Sequence, residues 1–105
     1  MTTFDSRERA FESKYAHDEE LKFKIMARRN KLLGLWAAEI MGMDDAEAQS
    51  YAKDVIRSDF EEAGDEDVYR KVAKDLKDKN SSVDETTLRT KMVELLMEAE
   101  RQIST

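Results

Sequence analysis

The stretch Leu32-Leu33-Gly34-Leu35-Trp36-Ala37-Ala38-Glu39-Ile40-Met41, followed by Gly42-Met43-Asp44-Asp45-Ala46-Glu47, decides the fold. Its first ten residues are apolar nearly all round a helix, as befits a helix enclosed by others. Gly42 offers the left-handed residue on which helices commonly end. Two residues later, Asp44 and Glu47 form an Asp-x-x-Glu variant of the capping box, in which the cap side chain accepts from free backbone N–H groups. A helix therefore ends near Met41 and another begins near Asp45. So short a connection makes the two antiparallel neighbours in a bundle, with the half from Leu32 to Met41 at its centre.

Downstream, Ala48, Tyr51, Ala52, Val55, Ile56, Phe60 and Ala63 recur at the three- and four-residue spacing of one helical face, and Gly64 follows as a natural cap. Asp65 can start a third, shorter helix, with Glu66 and Asp67 at its positive end and Val68, Val72, Ala73 and Leu76 on one face. Asn80-Ser81 should stop it. Ser82-Val83-Asp84-Glu85 reads as a second capping box, leading into a fourth helix striped by Leu88, Met92, Leu95, Leu96, Ala99 and Ile103. The expected helices are about 18–41, 45–63, 66–79 and 83–102, in a domain of residues 18–105.

Composition agrees. The 105 residues are 40% charged, with no proline and three glycines, which favours helix throughout. No cysteine is present, so disulfides and thiolate metal sites are excluded. Absence of a long apolar run or a basic signal-like start leads us to expect a soluble cytoplasmic chain without membrane insertion. The net charge of −6 is uneven: residues 44–105 carry ten basic and seventeen acidic side chains, against eight and seven in residues 1–43. So acidic a half argues against nucleic acid as partner. Asp44-Asp45 and Asp65-Glu66-Asp67 lack the spacing of a calcium loop and read as caps, so no metal is expected. With no phosphate-binding glycine loop and no nucleophile with a base, the chain does not read as an enzyme.

Around Leu21 and upstream of it the apolar residues thin to Phe23, Ala16, Tyr15, Phe11, Ala10 and Phe4, set among charges that sum to zero over the first 17 residues. Such a segment has little to bury on its own. The text here, Thr3-Phe4-Asp5-Ser6-Arg7-Glu8, then Ala10-Phe11-Glu12-Ser13-Lys14-Tyr15-Ala16-His17-Asp18-Glu19-Glu20, then Ala27-Arg28-Arg29-Asn30-Lys31-Leu32-Leu33-Gly34-Leu35-Trp36-Ala37-Ala38-Glu39, resembles the ATP synthase zeta subunits of alphaproteobacteria. The likeness continues more loosely to the C-terminus, through Gly64-Asp65-Glu66-Asp67-Val68. It implies an all-α four-helix bundle whose long first helix is extended by a flexible or weakly helical N-terminal arm, residues 1–17. It further implies an inhibitor of ATP hydrolysis that inserts this arm at a catalytic interface of the F-type ATP synthase and blocks rotation. Its partners would be the alpha, beta and gamma subunits of the catalytic head, holding the chain at the inner membrane's periphery; when free it would be a monomer. Carried onto this sequence, the inhibitory residues include Phe4, Arg7, Phe11, Lys14 and Tyr15.

Those residues suit the role. On a helix, Phe4, Phe11 and Tyr15 fall within about 40° of one another, a narrow aromatic edge among charges. Such an edge fits a partner's groove, or it packs back on its own bundle. The run Lys22, Lys24, Arg28, Arg29 and Lys31 contains no acid and supports an alternative: a nucleotide-binding helical sensor or regulatory adaptor with weak affinity for ATP or ADP. No cofactor is expected otherwise. Arg28 lies on an apolar stripe and needs a partner, for which Asp59 in the second helix is the candidate. Trp36 reads as enclosed core, and His17 as a solvated side chain beside Asp18.

Overall fold

The computed structural model describes residues 2–58 and 66–104, with side chains described for 19–58 and 66–103. Four helices follow in order: α1 (Thr2–Ile40), α2 (Asp45–Ser58), α3 (Glu66–Asp78) and α4 (Glu85–Ser104). Phe60, Ala63, Gly64 and Asp65, expected to finish α2 and cap α3, lie outside the described residues. The all-α plan of four helices stands, with α1 beginning at Thr2 rather than near residue 18 and α4 at Glu85 rather than 83.

Local chemistry sets the boundaries. Gly42, at φ 77°, closes α1: the Gly42 N–H donates to the Glu39 carbonyl (3.1 Å) and the Met43 N–H to the Ala38 carbonyl (3.0 Å). These paired bonds satisfy carbonyls that the helix end would leave free. Asn80, at φ 58°, ends α3 in the same way, with Ser81 donating to Leu76 at 2.9 Å. The capping box of α2 forms as expected, the Glu47 N–H donating to Asp44 Oδ1 at 2.8 Å. At α4 the cap is Asp84 rather than Ser82: the Thr87 N–H donates to Asp84 Oδ1 at 2.8 Å, and α4 starts at Glu85. The reason is that Ser81 still belongs to the end of α3, its Oγ accepting from the Val83 N–H, so the chain is free to enter a new helix only beyond Val83.

The core gathers Leu33, Ala37 and Ala38 of α1, Tyr51, Ala52 and Val55 of α2, Val68, Val72 and Leu76 of α3, and Leu88, Met92 and Ala99 of α4, all buried. Each fully buried leucine or valine is worth about 1.5–3 kcal/mol over its exposed state. Trp36 departs from expectation. It packs against this core but stays partly exposed, with the Lys91 ammonium of α4 over its ring, 5.8 Å from the centroid. Gly34 lets α1 and α2 approach closely: a Cβ placed there would lie 2.6 Å from Ala52 Cα. Next to Ala52 in sequence, Tyr51 donates its hydroxyl to Asp75 Oδ2 (2.8 Å), which also receives Lys71 (3.1 Å), tying α2 to α3.

Length positions the remaining feature. At 1.5 Å per residue, the 39 residues of α1 span about 58 Å, whereas the 20 residues of α4 span about 30 Å. Gly34 faces Ala52 and Arg28 faces Gln102, so the described ends of α2 and α4 lie level with roughly residues 26–28 of α1 at the same rise. The backbone of α1 continues for about 36 Å beyond them by the same geometry. Accordingly the molecule measures 65 × 24 × 21 Å. No break in the helix marks the expected boundary between arm and domain at residues 17 and 18.

Candidate functional site

The five arm residues Phe4, Arg7, Phe11, Lys14 and Tyr15 sit on the helical backbone of α1, on the part that outruns its neighbours. Their side chains, like that of His17, lie outside the described residues. What the structure does describe is the base from which this helix projects.

There α1 is fastened to the end of α4. Arg28 Nη1 donates to Gln102 Oε1 at 2.9 Å, Gln102 Nε2 donates to Glu98 Oε1 at 3.1 Å, and Arg101 Nε donates to Glu98 Oε2 at 2.9 Å. The Arg101 and Gln102 hydrogen bonds favour the charged carboxylate and pull the Glu98 pKa down to about 2. Thus the charge that the apolar stripe of α1 carries at Arg28 is answered by an amide 74 positions away, and Asp59 lies outside the described residues.

The basic run is spread around the helix rather than gathered. Lys22, Lys24 and Lys31 are exposed; Lys24 lies 3.3 Å from Glu20 in a solvent-facing pair. Arg29, by contrast, is buried, 1% exposed, its Nε donating to Asn30 Oδ1 at 2.8 Å. Asn30 is equally buried and its Nδ2 has no hydrogen-bond partner. Sequence reasoning passed over Asn30, because an asparagine within a basic run carries no signal of burial. Arg29 and Arg89 line a small cleft with Met92, Val93 and Leu96, of about 190 Å³. That is below the roughly 300–1,000 Å³ typical of ligand pockets. Arg89 itself is engaged by Glu66 (3.0 Å) and Glu85 (3.1 Å) and stacks over Tyr69 at 3.9 Å, so its charge is already answered. Among the described residues, the exposed large apolar side chains are Phe23, Ile40, Val93 and Met97, of which Phe23, 57% exposed, stands at the base of the projecting helix.

The described residues thus form a long single helix carried on a shorter bundle. The family described as ATPase inhibitor subunit zeta matches residues 1–102. The chain belongs to that family. Its likeness spans the projecting helix and the bundle together. Among solved structures, a chain described as "Solution NMR structure of the protein" is 48% identical and superposes with a TM-score of 0.72, covering 80% of this chain and 95% of that one. No curated protein matches. Membership in the zeta family makes the chain an ATPase inhibitor at that coarse level, a regulatory protein whose partner is the ATP synthase. Among the described residues, no helix is long and apolar enough to cross a membrane.

Proposed function

We propose that this zeta-family protein inhibits ATP hydrolysis by inserting the N-terminal half of α1 at a catalytic interface of the F-type ATP synthase, against the alpha, beta and gamma subunits, so that rotation is blocked. The observation that carries this reading is the unbroken run of α1 from Thr2 past the described ends of α2 and α4. An α-helix with its side chains is about 10–12 Å across and fits an intersubunit groove. The molecule as a whole is 24 × 21 Å across its short axes, roughly twice as wide. Insertion is thereby reserved to the arm, while the bundle remains outside as its anchor. A helix wedged in a catalytic interface opposes the shape changes of the hydrolytic cycle, and the edge of Phe4, Phe11 and Tyr15 supplies apolar anchors among Arg7 and Lys14 for hydrogen bonds and ion pairs at the rim. The protein then resides in the cytoplasm, peripheral to the membrane through the synthase, and is a monomer when free.

Phe11→Ala tests the reading. Truncating a central aromatic anchor weakens association by about 2 kcal/mol or more, roughly thirtyfold in affinity for the isolated catalytic head. Free-state stability changes by less than about 0.5 kcal/mol, as surface substitutions do. Thermal melts and inhibition titrations on one preparation decide it. A strongly lowered melting midpoint with inhibition lost only through unfolding returns the aromatic edge to the protein's own core.

A further inference from the structure

We infer that Arg28 and Gln102 are positioning residues for inhibition: their hydrogen bond clasps the end of α4 to α1 and sets the direction and helical order in which the arm is presented to its ATPase. The clasp's role rests on the arm-insertion reading and deepens it, giving the rim of the bundle a part in inhibition beyond anchorage.

The clasp lies close to the level at which the described ends of α2 and α4 leave α1, and Gln102 stands two residues before the described end of α4. Phe11 comes seventeen residues before Arg28, about 26 Å along the unbroken helix. Over such a lever, a tilt of about 10° at Arg28 carries Phe11 about 4–5 Å sideways, nearly the pitch of a helical turn. Helical order is governed from the same place. A segment as short as the arm is marginal as a helix in water, because starting a helix is costly whereas extending one nearly breaks even. The arm therefore takes its order by extension from the part of α1 that the bundle holds, and the Arg28 clasp secures the arm-side margin of that part.

The chemistry of the clasp suits guidance better than core stability. Arg28 Nη1 donates to Gln102 Oε1 at 2.9 Å while Gln102 Nε2 donates to Glu98 Oε1 at 3.1 Å, so both ends of the amide are engaged and its oxygen is held toward α1. The Arg28 cation thereby rests against the carboxyl-terminal end of α4, the negative end of that helix's dipole. The bond is only part-buried, so water takes the place of either partner when the other is removed, and the fold loses little. What is lost is the fixed relation between α1 and α4 at the root of the arm. A helix already held in its docked direction gives up less freedom on binding, and affinity rises accordingly.

Five full-length proteins test the clasp: the parent, R28M, Q102A, R28M/Q102A and F11A. Each is titrated against ATP hydrolysis by the isolated catalytic head, melted thermally, and read for arm helicity in the free state through the backbone carbon chemical shifts of residues 5–20. R28M and Q102A are each expected to raise the half-inhibitory concentration about five- to tenfold, as for lost preorganisation, and to move the arm shifts toward coil. Their melting midpoints should stay within about 4 °C of the parent's, as for surface changes. R28M/Q102A should inhibit no worse than R28M, because both changes sever one bond; additive losses overturn the pairing. Parent-like inhibition by R28M and Q102A beside a defective F11A overturns the clasp and leaves the arm reading standing. A fully active F11A removes the arm reading, and the clasp's role with it. A large fall in midpoint, or weakened inhibition with unchanged arm shifts, also overturns the proposal, assigning the pair to the fold in the first case and to direct contact with the ATPase in the second.

Discussion

Gly34→Ala isolates the packing on which the projecting helix is mounted. In a free helix the change stabilises by about 0.8–1 kcal/mol, because alanine loses less backbone entropy than glycine. Here the added Cβ arrives 2.6 Å from Ala52 Cα, with Ala52 Cβ at 3.2 Å and Ala52 N at 3.3 Å. Carbon atoms sit comfortably at about 3.5–4.0 Å, so α1 and α2 must separate by roughly 1 Å along a contact that runs their shared length. Overpacking of this kind costs about 1–3 kcal/mol, and the nearest atom belongs to the backbone, which places the cost at the upper end. After the propensity gain, a net loss of about 1–2 kcal/mol remains, a lowering of the midpoint by about 5–15 °C in a domain of this size. Circular dichroism melts and urea titrations read it directly. Adding Ala52→Gly should not rescue the variant, since the obstructing Cα stays. Inhibition measured well below the midpoint should persist, because the arm lies elsewhere on α1. A midpoint equal to or above the parent's would refute the close approach, leaving only the propensity gain at work.

Other perturbations separate bundle from arm. Trp36→Ala should cost about 2–3 kcal/mol, less than the 3–5 of a fully enclosed aromatic, because its ring remains partly in water; denaturant unfolding checks the value, and quenching of Trp36 fluorescence in the folded state should be intermediate. Deleting residues 1–17 should leave the unfolding midpoint nearly unchanged while abolishing inhibition of hydrolysis, and a truncated chain that inhibits fully would place the active element in the bundle. Burial, then the hydrogen bond to Asp75, raises the Tyr51 hydroxyl above its ordinary value of 10.0. The fold therefore holds this proton more tightly than the unfolded chain does, so the contribution is complete below pH 10 and declines as pH rises beyond it. Phenolate absorbance should show Tyr51 ionising only with unfolding, and Tyr51→Phe should flatten the alkaline loss of stability.

Much of this protein is written in local sequence. The break at Gly42 and the box from Asp44 to Glu47 act through groups three residues apart, so helix ends there follow from the text alone. The stripes of α2, α3 and α4 likewise needed no knowledge of their partners, because a helical face repeats at fixed spacing; Val55, Val72 and Leu88 are buried as the stripes require. Arg28 announced that it needed a partner, but its partner could not be read, since a contact with Gln102 exists only once α1 and α4 lie side by side. Where two local signals competed, as at Ser82 and Asp84, the end of the preceding helix chose between them. Burial of Arg29 and Asn30, and the role of Gly34 as the point where two backbones meet, were decided by tertiary packing alone. A residue's own type and neighbours fix which face of a helix is apolar, whereas the depth at which that face is covered, and by what, depends on where the other helices end. That same mismatch of lengths leaves the first half of α1 to reach beyond the bundle.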